Sequence, residues 1–85
     1  MIIIYHKDFT KDFKKLSPKI KEKFKDRLTL FEKDEFNPVL NNHSLKGKYL
    51  GYRSINVSGD IRAIFKSDFQ SALFVAINKH SNLYR

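Results

Sequence analysis

The chain has 85 residues, no Cys and three His, which leaves room for one domain and excludes disulfide staples, thiolate metal sites and cysteine nucleophiles. Seventeen Lys and Arg against nine Asp and Glu give a formal charge of +8, a field that attracts polyanions, with nucleic acid first among them. No run approaches the ~20 apolar residues of a membrane span. The stretch from Met1 to Tyr5 is too short for a signal-peptide apolar region and leads into Lys7 and Asp8, so one cytoplasmic domain over residues 1–85, without a membrane partner, is expected.

Ile2-Ile3-Ile4-Tyr5 is β-branched and aromatic and reads as a first strand, its unbroken apolarity suggesting burial on both faces. From Lys7 to Leu16 the period changes: Phe9, Phe13 and Leu16 recur at four and three residues with Lys and Asp between them, as an amphipathic helix requires. Ser17-Pro18 supplies an N-cap and a first-turn proline for a second helix. Its inward stripe is Ile20, Phe24, Leu28 and Phe31, and it should run to about Glu35 before Asn37-Pro38 ends it. After Asn41-Asn42 the period falls toward two, and strands are expected over residues 52–57, 61–66 and 72–77. Ser58-Gly59-Asp60 is a tight-turn signal, so the three strands form an antiparallel meander. The expected fold is α+β, in the order β-α-α-β-β-β, with a two-helix hairpin packed on an antiparallel sheet. Residues 80–85 form a short tail leaving the last strand.

Residues 7–35 carry ten Lys or Arg against seven acids, whereas residues 36–85 carry seven against two. The excess is purer on the sheet half. Asp8 with Lys11, Asp12 with Lys15 and Glu22 with Lys25 stand at helical spacing and read as a solvated face with weak pairs.

With the turn at Gly59-Asp60, hairpin pairing places Arg53, Ile55 and Val57 on the same face as Arg62, Ile64 and Lys66. Two guanidinium forks on one surface fit phosphate oxygens. His43 precedes the sheet and His80 follows it. Two imidazoles can divide proton removal and proton donation near neutral pH, which cleavage of RNA by its own 2′-hydroxyl requires, with cations to stabilise the phosphorane and no metal. Asp60 is readable as a turn former through local backbone hydrogen bonds or as a further site carboxylate. Tyr84 can stack on a base or pin the tail. His6 is assigned to structure. Neither a Gly-rich phosphate loop nor a Gly-x-Ser-x-Gly nucleophile is present, and no cofactor is expected.

The stretches Asn42-His43-Ser44-Leu45-Lys46-Gly47, Gly51-Tyr52-Arg53-Ser54-Ile55-Asn56-Val57, Gly59-Asp60-Ile61-Arg62-Ala63-Ile64-Phe65-Lys66 and His80-Ser81-Asn82-Leu83-Tyr84, in that element order, resemble the RelE/ParE toxin superfamily and within it the YafQ type. The resemblance covers nearly the whole chain. It implies a toxin of a bacterial toxin-antitoxin pair that enters the ribosomal decoding site, cleaves messenger RNA during translation, and is held inactive by a cognate antitoxin. It implies His80, His43, Asp60 and Arg62 as the catalytic set, and Arg53, Lys46, Lys48, Lys66, Lys79 and Tyr84 as the residues that hold RNA and its phosphates. This chain has Asn56 where some relatives have a further histidine, Ile61 where they have an aromatic, and Asn78 where a glycine is common. A gyrase inhibitor of the ParE kind would need neither His43 nor His80, and a degenerate toxin that only binds RNA or antitoxin is the remaining alternative.

Overall fold

A computed structural model describes residues 1–84. Among them the elements follow as β1 (Ile2–Tyr5), α1 (Lys7–Lys14), α2 (Pro18–Lys33), β2 (His43–Ser44), β3 (Arg53–Ser58), β4 (Ile61–Ser67), β5 (Ser71–Lys79) and α3 (His80–Leu83). The sheet order is β1-β5-β4-β3-β2. Strands β2 to β5 are antiparallel neighbours, but β1 lies parallel to β5. The sheet is therefore mixed where an antiparallel one was expected. No tight turn sets the direction of β1, because the helical hairpin carries the chain from it to the opposite edge.

The helix signals act as the residue types dictate. Ser17 Oγ accepts the Ile20 amide at 3.3 Å, with Pro18 in the first turn of α2. His6 caps α1 through Nδ1, which accepts the Asp8 amide at 3.0 Å. Both helices stop before Leu16 and Glu35, the ends expected from periodicity. The weak helix pairs do not close. Among the described residues no Lys or Arg nitrogen lies within 4.0 Å of a carboxylate oxygen.

Helices α1 and α2 pack on one face of the sheet, where Phe9, Phe24 and Phe31 meet Phe65, Phe74 and Ile77. Phe74 of β5 is the hub: the rings of Tyr5, Phe9, Phe24, Phe31 and Phe65 have centroids 5.2 to 6.2 Å from its own. Edge strand β1 differs from its expected two-sided burial. Ile2 and Ile4 are 61% and 47% exposed, and Ile3 alone of the three isoleucines packs against the core. An unbroken apolar run marks a strand but does not say whether both faces are covered.

Two bulges set which residues face away from the helices. In β3, Asn56 lies opposite Arg62 and Ser58 opposite Ile61, so Val57 is an extra residue. Ile55 and Val57 both enter the main core, and Arg27 Nε of α2 donates to the Val57 carbonyl at 3.4 Å. In β5, Phe74 lies opposite Phe65 and Ala76 opposite Ile64, so Val75 is extra. A second, smaller cluster covers part of the outer face, where Leu45 and Leu83 pack over Ile64. Over His80–Leu83 the expected tail is thus a short helix folded back on the sheet, and Arg85 lies outside the described residues. Asn78 lies within β5 with no left-handed backbone, and its Oδ1 accepts from the Lys79 amide at 2.8 Å and from Asn82 Nδ2 at 3.0 Å, fastening α3.

Replacing the hub, Phe74→Ala, should lower unfolding free energy by about 3–5 kcal/mol, a large share of a small domain's stability. Urea denaturation measures it, and a loss below about 1 kcal/mol would contradict the hub assignment.

Candidate nucleic-acid interface and catalytic cluster

Three of the four expected catalytic residues meet at one end of the sheet. The Gly59-Asp60 turn joins β3 to β4, and the His80 amide donates to the Asp60 carbonyl at 2.8 Å, tying the start of α3 to that turn. Arg62 is curled into the same corner, its Nη1 donating to the Gly59 carbonyl at 2.8 Å and the Ile61 carbonyl at 3.3 Å. Asp60 and His80 are exposed and Arg62 is half-buried.

His43 reaches the same face from the opposite edge. Strand β2 is too short for alternation to announce it, yet its register is definite. His43 pairs with Ser54, Ser54 with Ile64 and Ile64 with Ala76, so these side chains share the face turned away from the helices. Three strand spacings, roughly 14 Å of sheet, separate β2 from β5. His43 Nδ1 lies 2.7 Å from the Asn41 carbonyl. A carbonyl oxygen only accepts, so Nδ1 carries hydrogen and Nε2 is the nitrogen able to take a proton from a substrate.

Arg53 and Arg62 do not share a surface. Arg53 is paired with Phe65 and Arg62 with Asn56, which places them on opposite faces. One inserted residue, Val57, inverts the parity from that point on. Arg53 Nε instead donates to Asn42 Oδ1 at 2.7 Å and Nη2 to the Asn42 carbonyl at 3.4 Å, with the guanidinium carbon 5.5 Å from the Phe36 ring centre. It fastens β3 to the segment leaving α2. Lys79 is likewise in register with buried Ile61, on the helix side of the sheet end.

Two of the remaining cations, Lys48 and Lys66, lie along a row of aromatic rings. His80 and Tyr84 have ring centres 4.6 Å apart, Tyr84 and Tyr49 6.0 Å, and Tyr49 and Tyr52 6.1 Å. Lys48 Nζ sits 5.3 Å from the Tyr49 ring and Lys66 Nζ 5.6 Å from the Tyr52 ring. Lys48 Nζ also donates to the Leu83 carbonyl at 3.4 Å. Lys46, Lys48 and Lys66 are all exposed. Burial, then Tyr84 and Asp12, push the Tyr49 phenol above its ordinary pKa, so it remains a hydrogen-bond donor at neutral pH. Sequence reasoning singled out Tyr84 and missed Tyr49 and Tyr52. Their three-residue spacing on either side of Gly51 was the available signal.

Of the departures from the resemblance, Ile61 is buried in the main core, so it serves packing. Asn56 lies opposite Arg62 on the outer face. Ser54 Oγ and Asn56 Oδ1 are buried and make no hydrogen bond to the described residues. Among the described residues no three His, Asp or Glu converge as a metal site would require. No described helix is long and apolar enough to cross a membrane.

The YafQ family model, described as a bacterial toxin of type II toxin-antitoxin systems, matches residues 1–85. Two E. coli structures share this fold. YafQ itself is 26% identical, with a TM-score of 0.83 over 98% of this chain and 97% of that one. The chain in the DinJ-YafQ toxin-antitoxin complex is 28% identical, with a TM-score of 0.80 over 98% and 96%. A YoeB/ParE toxin from Agrobacterium tumefaciens, 18% identical, shares the fold, with a TM-score of 0.77 over 94% of this chain and 99% of that one. Among curated proteins, none matches the sequence.

Arg53→Ala should cost stability, about 1–3 kcal/mol for the charge-assisted hydrogen bonds lost, and change affinity for single-stranded RNA less than threefold. Urea midpoints and fluorescence anisotropy measure the two. A tenfold affinity loss at unchanged stability would return Arg53 to the RNA-binding set.

Proposed function

The chain belongs to the YafQ family of type II toxin-antitoxin toxins, and from that premise we propose that it is a ribosome-dependent endoribonuclease that cuts messenger RNA under translation. The observation that carries this reading is the gathering of His80, Asp60 and Arg62 at one sheet end, on the face that also presents His43. The chemistry needs no group beyond these side chains. A base removes the 2′ proton, the 2′ oxygen bonds to phosphorus, and the bond from phosphorus to the 5′ oxygen breaks as an acid protonates that oxygen. The products are a 2′,3′-cyclic phosphate and a 5′-hydroxyl.

His43 is the base in this reading, because its Nδ1 contact with the Asn41 carbonyl leaves Nε2 to accept. His80 is the acid, its amide anchored by the Asp60 main-chain carbonyl, which leaves the exposed Asp60 carboxylate at the same sheet end. Arg62 faces the extra negative charge of the phosphorane through Nη2 and Nε, the guanidinium plane being fixed by the two bonds from Nη1 to the turn carbonyls. Lys46, Lys48 and Lys66 contact phosphates, and Tyr84, in contact with the His80 ring, stacks a base beside the cut. The work is done in the cytoplasm, where the ribosomes are. A cognate antitoxin restrains the toxin, as the E. coli complex of DinJ with YafQ supports. Against the +8 chain, that partner is an acidic or amphipathic segment that orders on binding.

In a bacterial cell-free translation reaction, the protein should create new 5′ ends on the message only when ribosomes are present. His80→Ala should fold normally and cut at least 100-fold more slowly, the scale of a lost general acid. Arg62→Ala should lower the single-turnover rate at saturating ribosome. An unchanged rate there would remove Arg62 from the transition state, and intact message with the wild-type protein would overturn the nuclease reading.

A further inference from the structure

Beyond Tyr49, on the side away from His80, the outer face holds a cleft of about 420 Å³ that the catalytic cluster does not use. It is lined by His6, Asp8, Lys48, Tyr49, Tyr52 and Val75, among others. Resting on the nuclease reading, we propose that this cleft is a second nucleobase subsite, one that takes the base of a nucleotide flanking the cut and favours bases bearing an amino group over uracil.

The shape and charge of the cleft fit a nucleotide better than a purely apolar ligand. Tyr49 and Tyr52 are half-buried, so they offer fixed ring surface, and stacking on such a surface accepts any base. Lys48 and Lys66 sit against those two rings, placing cations beside the base as a phosphate backbone requires. The ring row from Tyr52 through Tyr49 and Tyr84 to His80 gives a continuous path from the cleft to the reacting phosphate.

Selectivity comes from the N-terminal turn of α1. Because the Asp8 amide donates to His6 Nδ1 at 3.0 Å, that nitrogen holds a lone pair and the hydrogen is on Nε2. The Asp8 carboxylate lies 3.6 Å from the same Nδ1, and with Nδ1 acting as an acceptor this is not an ion pair. Asp8, 69% exposed at its side chain, is a free acceptor. A carboxylate accepts from the exocyclic amino groups of adenine, cytosine or guanine, whereas uracil offers only N3–H, set between two carbonyls whose lone pairs oppose a carboxylate. The His6 cap therefore also holds a reading group in place.

Two measurements test the subsite, one with cleavage and one without. Mapped cut sites of the wild type should show uracil depleted at one flanking position. Asp8→Ala should abolish that depletion. Tyr52→Leu, which keeps apolar bulk in the small outer cluster but removes the stacking face, should slow cutting about tenfold, within the range of one lost base stack, and Tyr52→Phe should restore it. An unchanged site profile in Asp8→Ala, together with a Tyr52→Leu rate within twofold of wild type, overturns the proposal. In NMR titration of the free protein, adenosine 5′-monophosphate should shift the ring signals of Tyr49, Tyr52 and His6 more than uridine 5′-monophosphate does. Shifts confined to Tyr84 and His80 also overturn it. If the wild type cuts no message while the cleft signals still shift, the nuclease reading fails and the subsite stands.

Discussion

The structure depends on one buried ring. Phe74 sits on β5 between β1 and β4 and touches aromatic side chains from β1, both helices and β4. In a chain of 85 residues without a disulfide, so small a domain has little apolar area to bury, and each large ring counts. With Phe74 turned inward, the other face of β5 is turned outward, and the end of that strand delivers His80 to the Asp60 turn. Core packing and site assembly are thus two consequences of one strand orientation.

Much of this was legible in the sequence, and the misses share a physical cause. Apolar period, the Ser17-Pro18 cap and the Gly59-Asp60 turn locate the helices and the long strands because each signal is local. A bulge is not local in that sense. Val57 is an ordinary strand residue by composition, and its status as an extra one is set by the core it enters and by Arg27, which takes its carbonyl. From that single insertion follows the separation of Arg53 from Arg62. The two-residue strand β2, the parallel pairing of β1 and its exposed edge also depend on neighbours distant in the chain. Of the candidate site, His80 and Arg62 were singled out by residue type and Asp60 by the resemblance, and the three lie at one end of the sheet. Tyr49 and Tyr52 were passed over because tyrosines beside strands are usually read as packing.

Electrostatics and packing divide the molecule in the same way as the sheet does. The helix face is closed by aromatic contacts, whereas the outer face has only a small cluster around Leu45, Ile64 and Leu83. Along that thinner cover, lysines rest on tyrosine rings. The charge excess of the sheet half therefore has an address, a surface that offers both cations and aromatic rings. Arg62 and His80 are held there by backbone carbonyl and amide groups of the turn, so the geometry of the cluster is carried by the hairpin.

In the proposed mechanism the cut is made by the 2′-hydroxyl of the message itself. Ribosomes programmed with two otherwise identical messages, one carrying a single 2′-deoxynucleotide at the mapped cut position, test it most directly. The all-ribose message should be cut, leaving a 2′,3′-cyclic phosphate, while the deoxy message should survive at that position. Equal cleavage of the two would contradict it.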